Sequence, residues 1–329
     1  MDNYNRLSRL GLGFGAKLDL VVEASRILRG EADLEVAGVS EEVKQYGDIR
    51  ISDIHIHDTI AAAQLGKKCG HYITIDIPSQ VGQKNIDQIS ELAAQKISQL
   101  LLPLAENKCV LLVGLGNNQA TPDALGPEVI DKTYATRHIF AQQAADVRGT
   151  LNSLATLAPG VLGVTGIETA EMIRGVAGHV KPQAMIVVDS LAAASISRVG
   201  TTIQITDSGI IPGSGLGNQR PGIDAETMGF PVIAVGVPTV VNSLVIIHEA
   251  LNNFLDYANN HGFKALPALD NGLLEQVSNQ VLQNFDGNLV VTPKDIDQLV
   301  LDAAYIIAAA VAQAVHPGVN RDNYYDYLR

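Results

Sequence analysis

Cys109-Val110-Leu111-Leu112-Val113-Gly114-Leu115-Gly116 is a continuous apolar run that breaks off in glycines. A run this short and this apolar reads as a strand buried on both faces. Two later runs share its character, Ala184-Met185-Ile186-Val187-Val188-Asp189-Ser190 and Phe230-Pro231-Val232-Ile233-Ala234-Val235-Gly236-Val237-Pro238. Around them the spacing turns helical, over 85–107, 126–140, 168–180, 241–260 and 292–315. In the last of these Thr292 suits an N-cap and Pro293 the first helical position. Apolar strands alternating with helices predict an α/β fold, a mostly parallel central sheet with helices on both faces.

The opening of the chain has a different texture. Gly11, Gly13 and Gly15 loosen a segment tinted by Arg6, Arg9 and Lys17, and 18–30 then reads as a short amphipathic helix stopped at Gly30. Runs with β character follow over 32–43, 47–58 and 71–80, the last two alternating polar and apolar residues like half-exposed antiparallel strands. These form a β-rich N-terminal elaboration on a single α/β domain.

Composition narrows the function. With 23 Lys+Arg against 35 Asp+Glu the formal charge is −12, while 47% of the 329 residues are hydrophobic and 18% charged. That balance excludes a disordered chain. An acidic protein repels a phosphate backbone, so no direct nucleic-acid partner is expected. No stretch approaches the roughly 20 uninterrupted apolar residues that span a bilayer, and no secretory h-region is evident, so the expectation is a cytoplasmic protein with no membrane partner. Cys69 and Cys109 make neither a CxxC pair nor a disulfide framework, and both read as buried free thiols.

In open α/β sheets chemistry lies beyond the C-terminal ends of the strands. Asp189 follows an apolar run directly, where an ionised carboxylate is costly to bury without a partner. It is a candidate catalytic carboxylate, or a cap on a following helix over 190–199. Asp123, in the loop after the first strand, is a second candidate, or a helix N-cap. Carboxyls at the ends of two parallel strands can share a proton, because like charges in contact cannot both ionise. The glycine loops at 114–116 and 213–218 complete neither GxGxxG nor GxxxxGK[ST] and read as tight turns near a substrate. His55 and His57, with Asp58, have the spacing of two ligands on one strand face, but no third ligand is visible and a polar strand face is preferred. His138 and His248 fall in helical segments, and a GxSxG nucleophile motif is absent.

The strings at 113–127 (VGLGNNQATPDALGP), 158–176 (APGVLGVTGIETAEMIRGV), 187–193 (VVDSLAA), 201–218 (TTIQITDSGIIPGSGLGN) and 229–241 (GFPVIAVGVPTVV), in this order, resemble the spore germination protease family. Further similarity lies at 18–24, 70–78 and 291–300, so the resemblance covers almost the whole chain. It implies an endopeptidase that degrades small acid-soluble spore proteins at germination, in the spore core. It further implies a zymogen that trims its own N-terminus, a homotetramer, and a fold similar to hydrogenase maturation proteases. The carboxylates it implies are Asp123 and Asp189, with no metal or organic cofactor. The chain departs from the family's usual pattern at Leu18, where TDLAVEA is typical, and over 190–194, where an ALASR-like string is typical.

The same resemblance implies a cut between Asp19 and Leu20, giving a propeptide over 1–19 and a peptidase domain over 20–329. Family substrates resemble Thr-Glu-(Phe or Ile)-Ala-Ser-Glu, cut after the first acid. Leu18-Asp19-Leu20-Val21-Val22-Glu23 matches in the first acid, the large apolar residue and the second acid. Two rival readings stand beside this one. One is a metal-dependent protease of the hydrogenase maturation type, using these aspartates with a His such as His138. The other is a non-catalytic small-molecule-binding module built on the glycine loops.

Overall fold

The computed structural model describes residues 19–29, 36–78, 83–101, 109–142, 149–213, 220–261, 280–285 and 289–329. Gly11, Gly13, Gly15, Leu18 and most of the 213–218 loop lie outside the described residues. In chain order the elements that build the fold are α1 (Val21–Arg29), β1 (Val39–Tyr46), β2 (Ile49–Ile56), α2 (Thr59–Leu65), β3 (Gly70–Asp76), α3 (Gln83–Leu100) and β4 (Cys109–Gly114). There follow α4 (Leu125–Lys132), β5 (Ser153–Leu157), α5 (Thr169–Val180), β6 (Ala184–Ala193), β7 (Thr202–Thr206), β8 (Val232–Asn242), α6 (Ser243–Asn260), β9 (Val290–Val291) and α7 (Ile296–Val315).

Among the described residues nine strands join one sheet, in the order β1-β2-β3-β7-β8-β6-β4-β5, with β9 added beside β8. The central strands β8, β6, β4 and β5 pair in parallel, as their apolar runs predict. The β-rich N-terminal segment continues the same sheet antiparallel, through β3 against β7 and β7 against β8.

Side-chain alternation explains the layering. Val110 and Leu112 of β4, Ile186 and Val188 of β6, and Ile233 and Val235 of β8 pack against α3, α4 and α7. Leu111, Val113, Met185 and Val187 take the other face, against Ala170, Ile173 and Ala177 of α5. Over the antiparallel half that second face is covered by α1 and α2, whose Val21, Ala24, Ala61 and Leu65 meet Ile54, Ile56, Tyr72 and Leu191. Burying each such aliphatic side chain contributes ~1.5–3 kcal/mol.

Four details differ from the sequence expectation, each for a local reason. The segment after Asp189 is strand, not helix: β6 runs on to Ala193, pairing with β8 past an irregularity between Leu191 and Ala192. The long neighbour β8 supplies a ladder there, which outweighs the helix propensity of the alanines. Thr292 does not cap α7, which begins at Ile296; its hydroxyl instead donates to the Thr239 carbonyl at 2.8 Å. Cys69 is exposed, and Cys109 alone is buried. Finally, α7 is long and apolar enough to cross a membrane by length and composition, but most of it is buried inside the protein against the sheet and α3.

Close approach demands glycine where β4 runs into α4. A Cβ on Gly114 would lie 2.1 Å from the Gly126 carbonyl oxygen, and one on Gly126 2.2 Å from the Leu115 carbonyl oxygen. Gly175 in α5, by contrast, has no neighbour within 4 Å of such a Cβ. Gly126→Ala is expected to cost about 1–3 kcal/mol through overpacking against backbone. Gly175→Ala is expected to add about 0.5–1 kcal/mol by helix propensity. Denaturant midpoints of the two variants check both; equal shifts would contradict the close β4–α4 contact.

Candidate active site

Chain order and sheet order together place a crevice. From β4 the chain goes out to β5 on one side and returns to β6 on the other. The C-terminal ends of β4 and β6 therefore form a topological switch point, where ligands of open α/β sheets bind. Val188 pairs with Gly114, the last residue of β4, so Asp189 is the first residue of β6 to outrun that neighbour. The loop leaving β4 folds back over it. Gly116 sits at φ +116°, and the Asn117 N–H donates to the Asp123 carbonyl at 2.9 Å. A 3₁₀ turn over Thr121–Asp123 then ends at Asp123, whose preceding carbonyl, that of Pro122, accepts from the Thr239 hydroxyl at 2.6 Å. Asp123 caps no helix: the residue before α4 is Ala124.

Asp123 and Asp189 line one cavity of about 370 Å³, together with Asp19, Leu115, Thr169 and Arg220. Two larger hollows lie elsewhere: one of about 650 Å³ against α1 and β1, with Glu41 as its single carboxyl, and one of about 460 Å³ whose carboxyls, Glu23 and Asp76, are both paired with Arg198. Chemistry rather than size singles out the smaller cavity.

The electrostatics follow from burial. Asp189 is 6% exposed, and its pKa is driven well above the carboxylate range, first by burial and then by the negative charges of Asp123 and Asp19. The Ser190 N–H, 2.9 Å from its Oδ1, and the more distant Arg220 oppose the shift. Asp123 is pushed up to about 6, again by burial, with the Asn117 N–H and Arg220 opposing. Between these two ionisations the pair holds one proton, with Asp123 charged and the deeper Asp189 neutral.

The structure thus brings together Asp123 and Asp189, and adds Asp19 to them. Leu20 is fully buried beside it, in the core under α1. His138 lies elsewhere, exposed on a short helix over Arg137–Gln142 with its ring edge-on to Tyr134. His55 stacks on His71 and meets the His57 ring at a tilt of 57° on the β2–β3 face, while Asp58 caps α2. Among the described residues no group of three or more His, Cys, Asp or Glu is placed to hold a metal ion. Arg220 and Ser190 escaped the sequence reading. The Ser190 hydroxyl is buried in the cavity wall without a partner among the described residues. Gln204, a polar residue between Ile203 and Ile205 in a buried strand, is the one signal that was available and unread.

Comparison with known proteins decides what kind of molecule this is. The model of the germination protease family matches residues 17–262 and 262–328, both carboxyls included. The chain belongs to the germination protease family. The germination protease of Caldanaerobacter subterraneus subsp. tengcongensis is 37% identical over 314 residues, covering 93% of this chain and 95% of the relative. That of Clostridium tetani is 35% identical over 322 residues (95% and 99%), and that of Halalkalibacterium halodurans 34% over 363 residues (94% and 96%). Among solved structures, the [NiFe] hydrogenase maturation protease HycI from Thermococcus kodakarensis KOD1 aligns at 17% identity and a TM-score of 0.27, over 41% of this chain and 76% of that one. As a member of that family the chain is a peptidase, a hydrolase of peptide bonds whose substrates are proteins.

The raised carboxyl of Asp189 has a consequence for stability. A carboxyl whose pKa rises on folding stabilises fully below its unfolded value, about 3.9, and that contribution is lost as pH climbs through the folded value. Asp189→Asn is therefore expected to raise the melting temperature at pH 8, by about 2–4 °C per kcal/mol of relieved charge burial, and to change it little at pH 4. Equal shifts at the two pH values would contradict a buried ionisable carboxyl at this position.

Proposed function

We propose that this germination protease is an endopeptidase of the aspartic type, hydrolysing peptide bonds with a water held between Asp123 and Asp189. The observation that carries the reading is the pair itself: two carboxyls from adjacent strand ends on one cavity wall, the deeper one shifted partly by the charge of the other. The charged Asp123 takes a proton from the attacking water, and the neutral Asp189 gives its proton to the leaving nitrogen. Asp189 stays the donor because it is the more deeply buried.

The proposal extends to the biology that the resemblance implies. Substrates are small acid-soluble spore proteins, and the enzyme is a homotetramer of the spore core. The exposed Phe254 and Tyr257 of α6 offer apolar surface that an assembly would cover. It is made as a zymogen with residues 1–19 as propeptide and 20–329 as peptidase domain. The presence of Asp19 on the cavity wall supports self-cleavage of the Asp19–Leu20 bond.

Asp123→Asn and Asp189→Asn are each expected to slow appearance of the N-terminus starting at Leu20 by about 10²–10⁴-fold, with folding intact by circular dichroism. Residual cleavage within tenfold of wild type in either variant would remove that residue from the mechanism. The wild-type rate is expected to rise as Asp123 ionises, about pH 6, and to fall again where Asp189 ionises at higher pH. A profile flat across both limbs, with the protein folded, would contradict a shared proton.

A further inference from the structure

The backbone on either side of Leu20 is gripped by side chains. The carbonyl oxygen of Asp19 accepts from Lys67 Nζ at 2.9 Å and from Gln204 Nε2 at 3.1 Å. The other end of the Gln204 amide accepts from the Val21 N–H at 2.8 Å, which fixes its orientation: Oε1 must face the Val21 donor, so Nε2 must face the carbonyl. Lys67 and Gln204 come from the turn after α2 and from β7, and they meet on one carbonyl. Both line a second cavity, about 250 Å³, that shares Asp19, Leu191, Ile210 and Ile211 with the cavity of the aspartate pair.

The side chains of the same segment are held in register by the strand that carries Asp189. The Ala192 N–H donates to Asp19 Oδ2 at 2.9 Å, and the Ala194 N–H to Glu23 Oε2 at 3.0 Å, with Arg198 3.7 Å from the other oxygen of Glu23. Two residues of extended chain advance about 6.5 Å and one helical turn about 5.4 Å, so amides two apart, that of Ala192 on β6 and that of Ala194 just past its end, meet acidic side chains four apart in the segment. A peptide with that acid spacing can therefore seat in a single frame, with one particular carbonyl under Lys67 and Gln204.

We infer that Lys67 and Gln204 polarise the carbonyl of the bond to be cut, a catalytic role made for negative charge that develops on that oxygen. The inference rests on the Asp19–Leu20 cleavage proposed above. As the water oxygen bonds to the Asp19 carbonyl carbon, its proton passes to Asp123 and the carbonyl π pair moves onto oxygen. That oxyanion is met by the Lys67 ammonium and the Gln204 N–H. Collapse restores the C=O and breaks the C–N bond, the Leu20 nitrogen taking the Asp189 proton. Transfer of a proton from Asp123 to Asp189 resets the pair. Donors at 2.7–3.1 Å from such an oxygen are worth about 10²–10³-fold in rate.

The test follows self-cleavage of the full chain as a first-order rate, with sequencing of the new N-terminus. Lys67 is half-buried, so its variants leave the core undisturbed. Lys67→Met is expected to slow the cut about 10²–10³-fold at the unchanged Asp19–Leu20 bond. Lys67→Arg is expected to keep the rate within about tenfold, and ethylammonium to restore much of it to Lys67→Ala, which a purely structural tether would not allow. A Lys67→Met rate within threefold of wild type, or a cut moved to another bond, would overturn the inference. Asp123→Asn run in parallel separates the two readings. If it cleaves normally while Lys67→Met does not, the carboxylate mechanism fails and the clamp stands. If wild type keeps its original N-terminus, both fall.

Discussion

Asp189 is an ionisable group on a buried strand whose strongest neighbours are other acids, and the surrounding structure is arranged around that cost. An isolated charge is costly there, so burial and the neighbouring acids raise its pKa well above the usual carboxylate range. Its position depends on β6 outrunning β4, whose last residue Gly114 pairs with Val188, and on β8 continuing the ladder to Ala193. Gly236 lies opposite Asp189; a Cβ there would sit 2.6 Å from the Leu191 side chain. The close β4–α4 contact through Gly114 and Gly126 then brings the Asp123 turn over the same point. Sheet register, glycine contacts and proton affinity are thus one arrangement seen at three scales.

Much of this was legible in the sequence because it rests on local pattern. The apolar runs at 109–116, 184–190 and 230–238 are continuous because both faces of those strands are covered, and continuity is visible residue by residue. Asp123 and Asp189 were visible for a related reason: a carboxylate at the end of such a run needs an explanation. The extension of β6 through Leu191-Ala192-Ala193 was not legible, since alanines favour helix and the partner residues lie nearly fifty positions further along the chain. Nor was the single-sheet union of the two halves, which depends on β7 pairing antiparallel with both β3 and β8.

The same limit applies to the site. Asp19, Lys67, Gln204 and Arg220 come from separate parts of the chain, and none carries a motif of its own. The resemblance singled out Asp19 as the residue before a cut. The structure lodges it beside the two carboxyls, its carbonyl and carboxylate both bonded to the protein. Leu20, Val21 and Val22, next in line, are core residues under the sheet. The segment is therefore held by burial on one side and by polar contacts on the other, with the polar contacts facing the cavity.

Asp123 and Asp189 are proposed to share a proton inside one cavity. Difference infrared spectroscopy of the carboxyl C=O stretch, recorded as the folded wild type is titrated, reads that proton directly. The expected result is a protonated component, beyond that of the buried Glu23 whose carboxyl is raised to about 7, that persists above pH 6, is lost in Asp189→Asn, and ionises at lower pH in Asp123→Asn, where the neighbouring charge is gone. A protonated band above pH 6 that Asp189→Asn leaves unchanged would contradict it.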